Sequence, residues 1–422
     1  MKESNILHCD LNNFFASVEC VKNPDLKLVP MAVCGDPKLR HGIILAKNDI
    51  AKKYGVVTAE TIYSARKKCH DLVLIDSSYE DYTKYSKLVN NIYLKYTNKV
   101  EPLSIDESYL DISESIGLFG DSIKIANLIK EDVKKSTGLT ISIGVSFNKS
   151  FAKIGSDMKK PDAITVIDYN NFKRILYPQN IDIIMSIGKN TKSLLNKYGI
   201  FTVGDLAHAQ INKLRKILGN KADEIYSVVN GNILDCVKDF NKTDNPKSVS
   251  KGCTFDKDTN DIDLLNKYIN DLCEMVSKNL RKYNLKCTVV CIGIKDCNFV
   301  TITRQKQINS TNSYSDIVKV ASEILKENYD KNKNIRSLTV FANNLVNNEN
   351  ENKNQIDLFN DLKVDNNIKD KDMIKNNKLL INENINKKKE KINTIIDNIN
   401  KKYGNNSITY ASTSYIKNDK NK

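Results

Sequence analysis

The chain has 422 residues, of which 40% are hydrophobic and 27% are charged, a composition typical of a globular protein. This length predicts two to four domains. The sequence shows no apolar run near the roughly 20 residues of a membrane-spanning helix, and it lacks a signal-peptide pattern. We therefore expect a cytoplasmic protein with no membrane partner.

The charge balance is basic, with 65 Lys and Arg against 51 Asp and Glu and a formal net charge of +14. This excess favours a polyanionic partner, nucleic acid first and an acidic membrane surface second. The ten cysteines form no CxxC pair, so the sequence indicates reduced thiols rather than a zinc site.

The first 150 residues alternate between strand and helix patterns. A short apolar strand at 6–11 precedes a helix that Asn12 and Asn13 can cap and that carries Phe14, Val18 and Val21 on one face. Later patterns predict a helix at 80–98 with an apolar stripe, a hairpin at 104–112, a helix near 121–136 and a strand at 139–145. The stripe consists of Tyr82, Tyr85, Leu88, Val89, Ile92 and Tyr96. This order predicts a ferredoxin-like sheet, with the more basic residues 30–75 as an insertion.

Three carboxylates stand out against this pattern. Asp106 and Glu107 lie between alternating apolar residues, and Asp10 ends the first strand. Because adjacent strand residues point to opposite faces, Asp106 and Glu107 can share a site only near a bend. The three together would form an oxygen cage suited to Mg²⁺. Alternatively, each acid caps a turn or lies in solvent.

The next 180 residues contain two further units. Lys160 precedes Pro161 at a predicted helix end, where it can contact a phosphate or cap the helix dipole. Residues 182–236 look entirely helical, and a Gly turn at Ser186–Lys189 can offer backbone N–H groups to a DNA phosphate. After a polar linker at 237–247, a second α+β unit follows. Its predicted elements are a strand from 251, a helix at 261–281, strands near 285–294 and 298–304, a helix near 315–328 and a strand near 336–342.

After residue 347 the sequence becomes rich in Asn and Lys, which predicts disorder. Within this region, Gln355–Phe359 is a compact peptide that could dock in a groove. The spacing of isoleucines over 385–403 predicts an amphipathic helix that folds on a partner or back onto the body.

The motifs occur in an informative order, namely Asp10–Glu19, Ser104–Asp111, Phe151–Lys153 and Lys160–Pro161. In this order they resemble those of the Y-family, or translesion, DNA polymerases, most closely the bacterial DinB-like branch. The resemblance implies an α+β fold with a ferredoxin-like palm, small fingers, a helical thumb, an α+β little finger and a low-complexity tail. The implied boundaries are 1–30 and 76–168 for the palm, 31–75 for the fingers, 169–237 for the thumb with a helix-hairpin-helix-like turn, 246–346 for the little finger and 347–422 for the tail.

The resemblance also implies a role for individual residues. Two Mg²⁺ ions, for which Mn²⁺ can substitute, would be held by Asp10, the Leu11 carbonyl, Asp106 and Glu107. The implied nucleotide-binding residues are Asn13, Phe14, Phe15, Lys52 and Lys160, with Phe15 as a steric gate against a ribose 2′-hydroxyl and Phe14 as its core neighbour. DNA binding falls to Ile187, Gly188 and Lys189, and binding of the replication sliding clamp to Gln355, Leu358 and Phe359.

Three positions depart from the family pattern. Asp49 stands where many relatives have Tyr, Lys52 where they more often have Arg, and Ser186 where Gly is frequent. We expect Asp49 to point away from a bound triphosphate or to be screened by Lys47 and Lys53.

The implied activity is template-directed, error-prone DNA synthesis that adds dNTPs to a primer end and bypasses damaged bases without proofreading. The partners would be primed template DNA, dNTPs and the clamp, and the protein would be a monomer. One alternative is a non-catalytic DNA- and clamp-binding regulator, which would lack a metal carboxylate. Another is a nucleotide cyclase on the same palm, which would need no DNA-binding thumb.

Overall fold

The structure is a computed structural model that describes residues 5–36, 42–232, 236–242, 245–347 and 392–404, together with residues 407, 408, 410 and 413. The chain divides into two compact units, Met1–Thr243 and Asp244–Lys422. Among the helices of the described ranges, none combines the length and apolar character needed to cross a membrane.

The first unit contains eight strands and twelve helices within its described residues. In chain order these are β1 (Ile6–Leu11), α1 (Phe14–Lys22), β2 (Met31–Cys34), β3 (Ile44–Lys47), α2 (Asp49–Lys53), α3 (Ile62–Lys68), β4 (Val73–Asp76), α4 (Tyr79–Tyr93), β5 (Val100–Pro102), β6 (Glu107–Asp111), α5 (Ile116–Phe119), α6 (Ser122–Thr137), β7 (Ile141–Ser146), α7 (Lys149–Met158), β8 (Ile164–Ile167), α8 (Phe172–Leu176), α9 (Lys189–Lys197), α10 (Val203–His208), α11 (Ile211–Leu218) and α12 (Ala222–Val229).

The main sheet of this unit has the strand order β5-β6-β1-β7-β8. Strand β1 is antiparallel to both β6 and β7, β5 is antiparallel to β6, and β8 extends the edge parallel to β7. The first four strands have the ferredoxin-like order, so the predicted sheet is confirmed. All six residues of β1 are buried, because α4 and α6 cover one face of the sheet and α7 covers the other.

Helix α4 ends five residues earlier than predicted, and one residue of its predicted core stripe faces solvent. Tyr82, Val89 and Ile92 are buried as expected, but Leu88 is 52% exposed. Six residues at 100° each place Leu88 about 120° around the helix from Tyr82, beyond the buried face. The prediction for Leu88 was therefore wrong.

Two further groups of elements complete the first unit. Strands β3-β2-β4 form a separate small sheet, packed against α2 and α3 through its own apolar cluster. Helices α8 to α12 surround a third apolar core that includes Leu195, Leu206 and Leu214. The described part of the stretch predicted to be helical is indeed helical, apart from a single bridge between Asn180 and Thr202.

The second unit has the element order strand, helix, strand, strand, helix, strand, as predicted. Its elements are β9 (Ser248–Thr259), α13 (Ile262–Lys282), β10 (Leu285–Asp296), β11 (Thr301–Thr311), α14 (Tyr314–Asn328) and β12 (Ile335–Asn347). The antiparallel sheet has the order β11-β10-β12-β9, and both helices pack against it through one continuous core.

A further helix at 392–403 packs back against α13, one of the two outcomes expected for this part of the chain. Arg281 Nε donates to Asp397 Oδ2 at 2.6 Å. The predicted contact face is wrong, since Ile392 and Ile395 are exposed while Asn393 is buried. The half-buried guanidinium of Arg281 needs a carboxylate partner, and this requirement favours the polar side of the helix.

Helix α7 lies so close to β7 that residue 144 must be glycine. A Cβ atom at Gly144 would lie 1.8 Å from the Ala152 carbonyl oxygen and 2.6 Å from the Ser156 nitrogen. We expect Gly144→Ala to lower the free energy of unfolding by about 3 kcal/mol, because the overlap is with backbone atoms that cannot move aside. Urea denaturation measures this change.

Gly117→Ala is the matched control, because a Cβ there meets nothing within 4 Å and alanine favours the helix. If Gly144→Ala is no less stable than this control, α7 does not pack as described.

Candidate active site

The predicted carboxylates gather at one end of the main sheet. The pairing of β1 with β6 places Asp10 directly opposite Glu107. The chain bends at 104–106, and the Leu11 N–H donates to the Asp106 carbonyl oxygen at 3.1 Å. Asp106 therefore lies in the bend and Glu107 begins the strand. The strict alternation of strand side chains therefore does not apply at Asp106.

Each carboxylate has a polar partner from the chain itself. Lys160 Nζ lies 2.7 Å from Asp10 Oδ2, and Lys153 Nζ lies 2.7 Å from Glu107 Oε1. Ser104 Oγ donates to Asp106 Oδ1 at 2.6 Å. Within the ranges that the structure describes, no three His, Cys, Asp or Glu side chains converge in a metal-binding group. The carboxylate oxygens of Asp10, Asp106 and Glu107 are nevertheless donors of the kind that hard divalent cations prefer.

Helix α7 brings both lysines to the site. Asn148 caps its first turn by accepting from the Phe151 N–H at 2.8 Å. Lys153 lies within the helix, and Lys160 follows its end, where it also pairs with Asp157 at 2.7 Å. Lys160 thus contacts a carboxylate of the site rather than only capping the helix. The pairing of Lys153 with Glu107 was not expected from the sequence.

The pKa values of the two paired carboxylates shift in opposite directions. Burial raises the pKa of Asp10, and the neighbouring ammonium group of Lys160 acts against this rise. Burial also acts to raise the pKa of Glu107, but the hydrogen bonds from Lys153 and Asp10 and the nearby charge of Lys153 together outweigh it, so this pKa is lowered. These contacts favour the ionised form of Glu107.

Phe15 stacks on a ring that the sequence had assigned to the core. Its ring centroid lies 4.1 Å from that of Tyr82, with the planes 12° apart, and Tyr82 donates to Glu19 Oε1 at 2.9 Å. Phe14 is buried, as expected of a core neighbour. Phe15 and Tyr82 are 67 positions apart in the chain, so no local sequence pattern indicates this contact.

Asp49 has a partner that was not foreseen. Asn13 Nδ2 donates to Asp49 Oδ1 at 3.0 Å, and Lys47 Nζ donates to Thr58 Oγ1 at 3.1 Å. The Asp49 carboxylate thus accepts a hydrogen bond from the side-chain amide of Asn13, which directly precedes α1. Lys52 is exposed on α2.

The predicted DNA-binding turn lies at the start of α9. Ile187 is buried, Gly188 is the residue before the helix and Lys189 is its first residue. Ser186 adopts a φ of 74°, a left-handed conformation that favours glycine. Lys189 lines an open groove with Lys192. The predicted clamp residues Gln355, Leu358 and Phe359 lie outside the described residues.

His8 is a buried group beneath the carboxylates that the sequence analysis did not single out. Ser156 Oγ donates to the Lys153 carbonyl at 2.8 Å and lies 2.7 Å from His8 Nδ1, so it accepts from Nδ1–H. The other ring nitrogen, Nε2, lies 4.0 Å from Glu107 Oε2. Burial lowers the pKa of His8 to about 4, which keeps the ring neutral at pH 7.

Comparisons with known proteins agree with this geometry. The profile of the impB/mucB/samB family matches residues 9–157, and the profile of its C-terminal domain matches residues 246–358. DNA polymerase IV of Acetivibrio thermocellus is 43% identical over 357 residues, covering 84% of this chain and 89% of that protein. DNA polymerase IV of Clostridium kluyveri is 36% identical over 413 residues, covering 98% of both chains.

Solved structures give the same result. The chain aligns with a Y-family DNA polymerase chimera, Dbh-Dpo4(243-245)-Dbh, with a TM-score of 0.75 and 27% identity over 82% of this chain and all of that one. An insertion ternary complex of Dbh DNA polymerase aligns with a TM-score of 0.59 and 26% identity over the same shares.

The fold and the site therefore define a DNA-directed DNA polymerase of the translesion type. The chain belongs to the impB/mucB/samB family, the Y-family polymerases, and its curated relatives are DNA polymerase IV proteins.

The buried, neutral His8 makes stability depend on pH. Between pH 6.5 and 4 the unfolded chain binds a proton at this residue that the folded chain does not, so stability falls as the pH falls. We expect His8 to account for a loss of about 2 kcal/mol between pH 7.5 and pH 5. Urea denaturation of the parent and of His8→Asn, which keeps a donor for Ser156, gives this value as the difference between their pH dependences.

His70→Asn, which replaces an exposed histidine, is the control for the loss of an imidazole. Identical pH profiles for the parent and His8→Asn would refute the assignment of a depressed pKa to His8.

Proposed function

We propose that the chain adds dNTPs to a primer 3′-end by a two-metal mechanism, without proofreading, and bypasses damaged template bases. The observation that carries this proposal is the placement of Asp106 in the bend beside the Asp10 and Glu107 pair. The non-catalytic regulator gains no support, because all three carboxylates are present in the sequence.

The chain's own residues would work as follows. Asp10, Asp106, Glu107 and the Leu11 carbonyl would hold two Mg²⁺ ions, for which Mn²⁺ can substitute. When bound, the metals acidify the primer hydroxyl and neutralise charge on the leaving pyrophosphate. The Lys160 side chain is 33% exposed and can leave Asp10 for the triphosphate.

Nucleotide selection would depend on the ring of Phe15. Its stacking on Tyr82, which donates to Glu19, favours one orientation of the ring, and in that orientation the ring would exclude a ribose 2′-hydroxyl. Asn13 and Phe14 would contact the nucleotide beside it, Phe14 through its backbone because its ring is buried. The exposed ammonium group of Lys52 would meet the phosphates from α2.

DNA binding would depend on the turn before α9. Gly188 and Lys189 present backbone N–H groups at the helix start, and Ile187 anchors the turn in the apolar core. Contacts to phosphates position the protein on DNA without reading the base sequence, which suits a polymerase that must accept any template.

The remaining proposals concern partners and fidelity. Gln355, Leu358 and Phe359 would bind the sliding clamp, with the two apolar side chains in a pocket. The protein would act as a monomer. The short stretch of fingers, 31–75, offers little surface to close on a base pair.

The carboxylates give the first test, by primer extension with Mg²⁺ and four dNTPs on intact and abasic templates. Asp106→Ala and Glu107→Ala should each lower the rate at least about a thousandfold, because losing a metal ligand removes several kcal/mol of transition-state stabilisation. Glu114→Gln, an exposed carboxylate paired with Lys99, should match the parent. A parent that binds primed DNA yet extends it with neither Mg²⁺ nor Mn²⁺ would refute the catalytic proposal.

Phe15 gives the second test. Phe15→Ala should lower the preference for dNTPs over rNTPs on the order of 100-fold, because the clash with the 2′-hydroxyl is removed. Single-nucleotide insertion kinetics with both substrates measure the ratio. Phe15→Tyr keeps the ring and should keep the preference. If Phe15→Ala discriminates as well as the parent, another group excludes the ribose.

A further inference from the structure

Glu101 is a partly buried carboxylate that takes no part in the proposed reaction. It lies on β5 directly opposite Tyr109, a residue of the strand that begins with Glu107. Glu101 Oε2 accepts two hydrogen bonds, one from Lys149 Nζ at 2.7 Å and one from the backbone N–H of Lys238 at 2.9 Å. The side chain is only 25% exposed.

Lys238 belongs to the segment 236–242, which leaves the helical core and precedes the second unit. Two more contacts bind this segment to the main sheet. Val237 is buried in a cluster with Ile6 and Tyr109, and the Phe240 N–H donates to the Asn98 carbonyl at 3.2 Å. The segment is therefore fixed along β5, the outer strand of the hairpin that β5 and β6 form, which we call the catalytic hairpin.

Helix α7 connects this contact to the metal-binding carboxylates. Lys149 and Lys153 lie four residues apart, so they project from the same side of the helix one turn apart. Lys149 pairs with Glu101 on β5, and Lys153 pairs with Glu107 on β6. One helix thus holds both strands of the hairpin through two ion pairs.

Glu101 can hold both Lys149 and the Lys238 backbone because its side chain is charged. Burial acts to raise its pKa, but the hydrogen bonds from Lys149 and from the Lys238 backbone outweigh it, and the pKa is lowered. Two charge-assisted hydrogen bonds to one oxygen are stronger than neutral ones and leave a large penalty if the carboxylate is removed.

We propose that Glu101 is a positioning residue that fixes the segment 236–242 to the catalytic hairpin and thereby sets the direction in which the chain leaves the first unit. A segment that is already fixed has less conformational freedom to lose when the chain binds primed DNA. Loss of Glu101 weakens the hold on DNA and shortens each synthesis run, while the chemistry on DNA already bound is unchanged. This consequence rests on the proposed function, whereas the fixation of the segment does not.

Trypsin tests the fixation on the full chain without DNA, because it cuts after Lys238 and Lys242 only when the segment opens. Glu101→Ala should speed cleavage at these two bonds, mapped by mass spectrometry, about tenfold, the effect of losing one charge-assisted hydrogen bond. Glu101→Gln, which keeps an acceptor for the Lys238 N–H, should fall between this variant and the parent. Glu114→Gln is the matched control on the nearby surface and should match the parent.

The same variants are then assayed with primed DNA. Glu101→Ala should raise the Kd for DNA and lower processivity severalfold, while the single-turnover insertion rate at saturating DNA stays within about twofold, as expected when only ground-state positioning is lost. Lys149→Met, which removes one arm of the contact, provides a second variant if Glu101→Ala does not fold.

Equal cleavage of Glu101→Ala, Lys149→Met and Glu114→Gln would overturn the proposal. Faster cleavage with an unchanged Kd and processivity would overturn the positioning role. If the parent shows no polymerase activity while Glu101→Ala still opens the segment, the proposed function fails and the fixation stands.

Discussion

Backbone hydrogen bonds between β1 and β6 hold Asp10 opposite Glu107, and the rest of the site follows from this register. A shift of one residue would turn each carboxylate to the opposite face of the sheet. The register is strongly specified because all six residues of β1 are buried, so a slipped strand would exchange the two faces and separate His8 and Asp10 from their polar partners. The placement of Asp10 opposite Glu107 thus rests on the core of the sheet.

Helix α7 is the second element on which the site depends. It approaches β7 closely because Gly144 has no side chain, and this short distance brings Lys153 and Lys149 within reach of Glu107 and Glu101. Lysines that neutralise buried carboxylates remove the repulsion that would otherwise destabilise the folded chain. The proposed function requires Lys153 to release Glu107 when a cation binds, whereas the pair of Lys149 with Glu101 remains in place.

Local patterns predicted much of this architecture. The alternation of apolar residues and the order of strands and helices were sufficient for the ferredoxin-like sheet, because each element buries one face with its own period. They failed at Leu88 and in the helix at 392–403, where the buried side was decided by which neighbour the helix meets. The polar contact between Arg281 and Asp397 joins residues 116 positions apart, and no periodicity carries that information.

The sequence by itself determined which residues could do chemistry, since the motifs around Asp10, Asp106 and Lys160 are contiguous and their types suit a metal and phosphate site. Only the tertiary structure decided their partners. Lys160 meets Asp10 across 150 residues, Phe15 meets Tyr82 across 67, and Glu101 holds a segment 137 residues further along the chain. The physical reason is that a motif consists of consecutive residues, whereas ion pairs and ring contacts form between surfaces that only the packed core brings together.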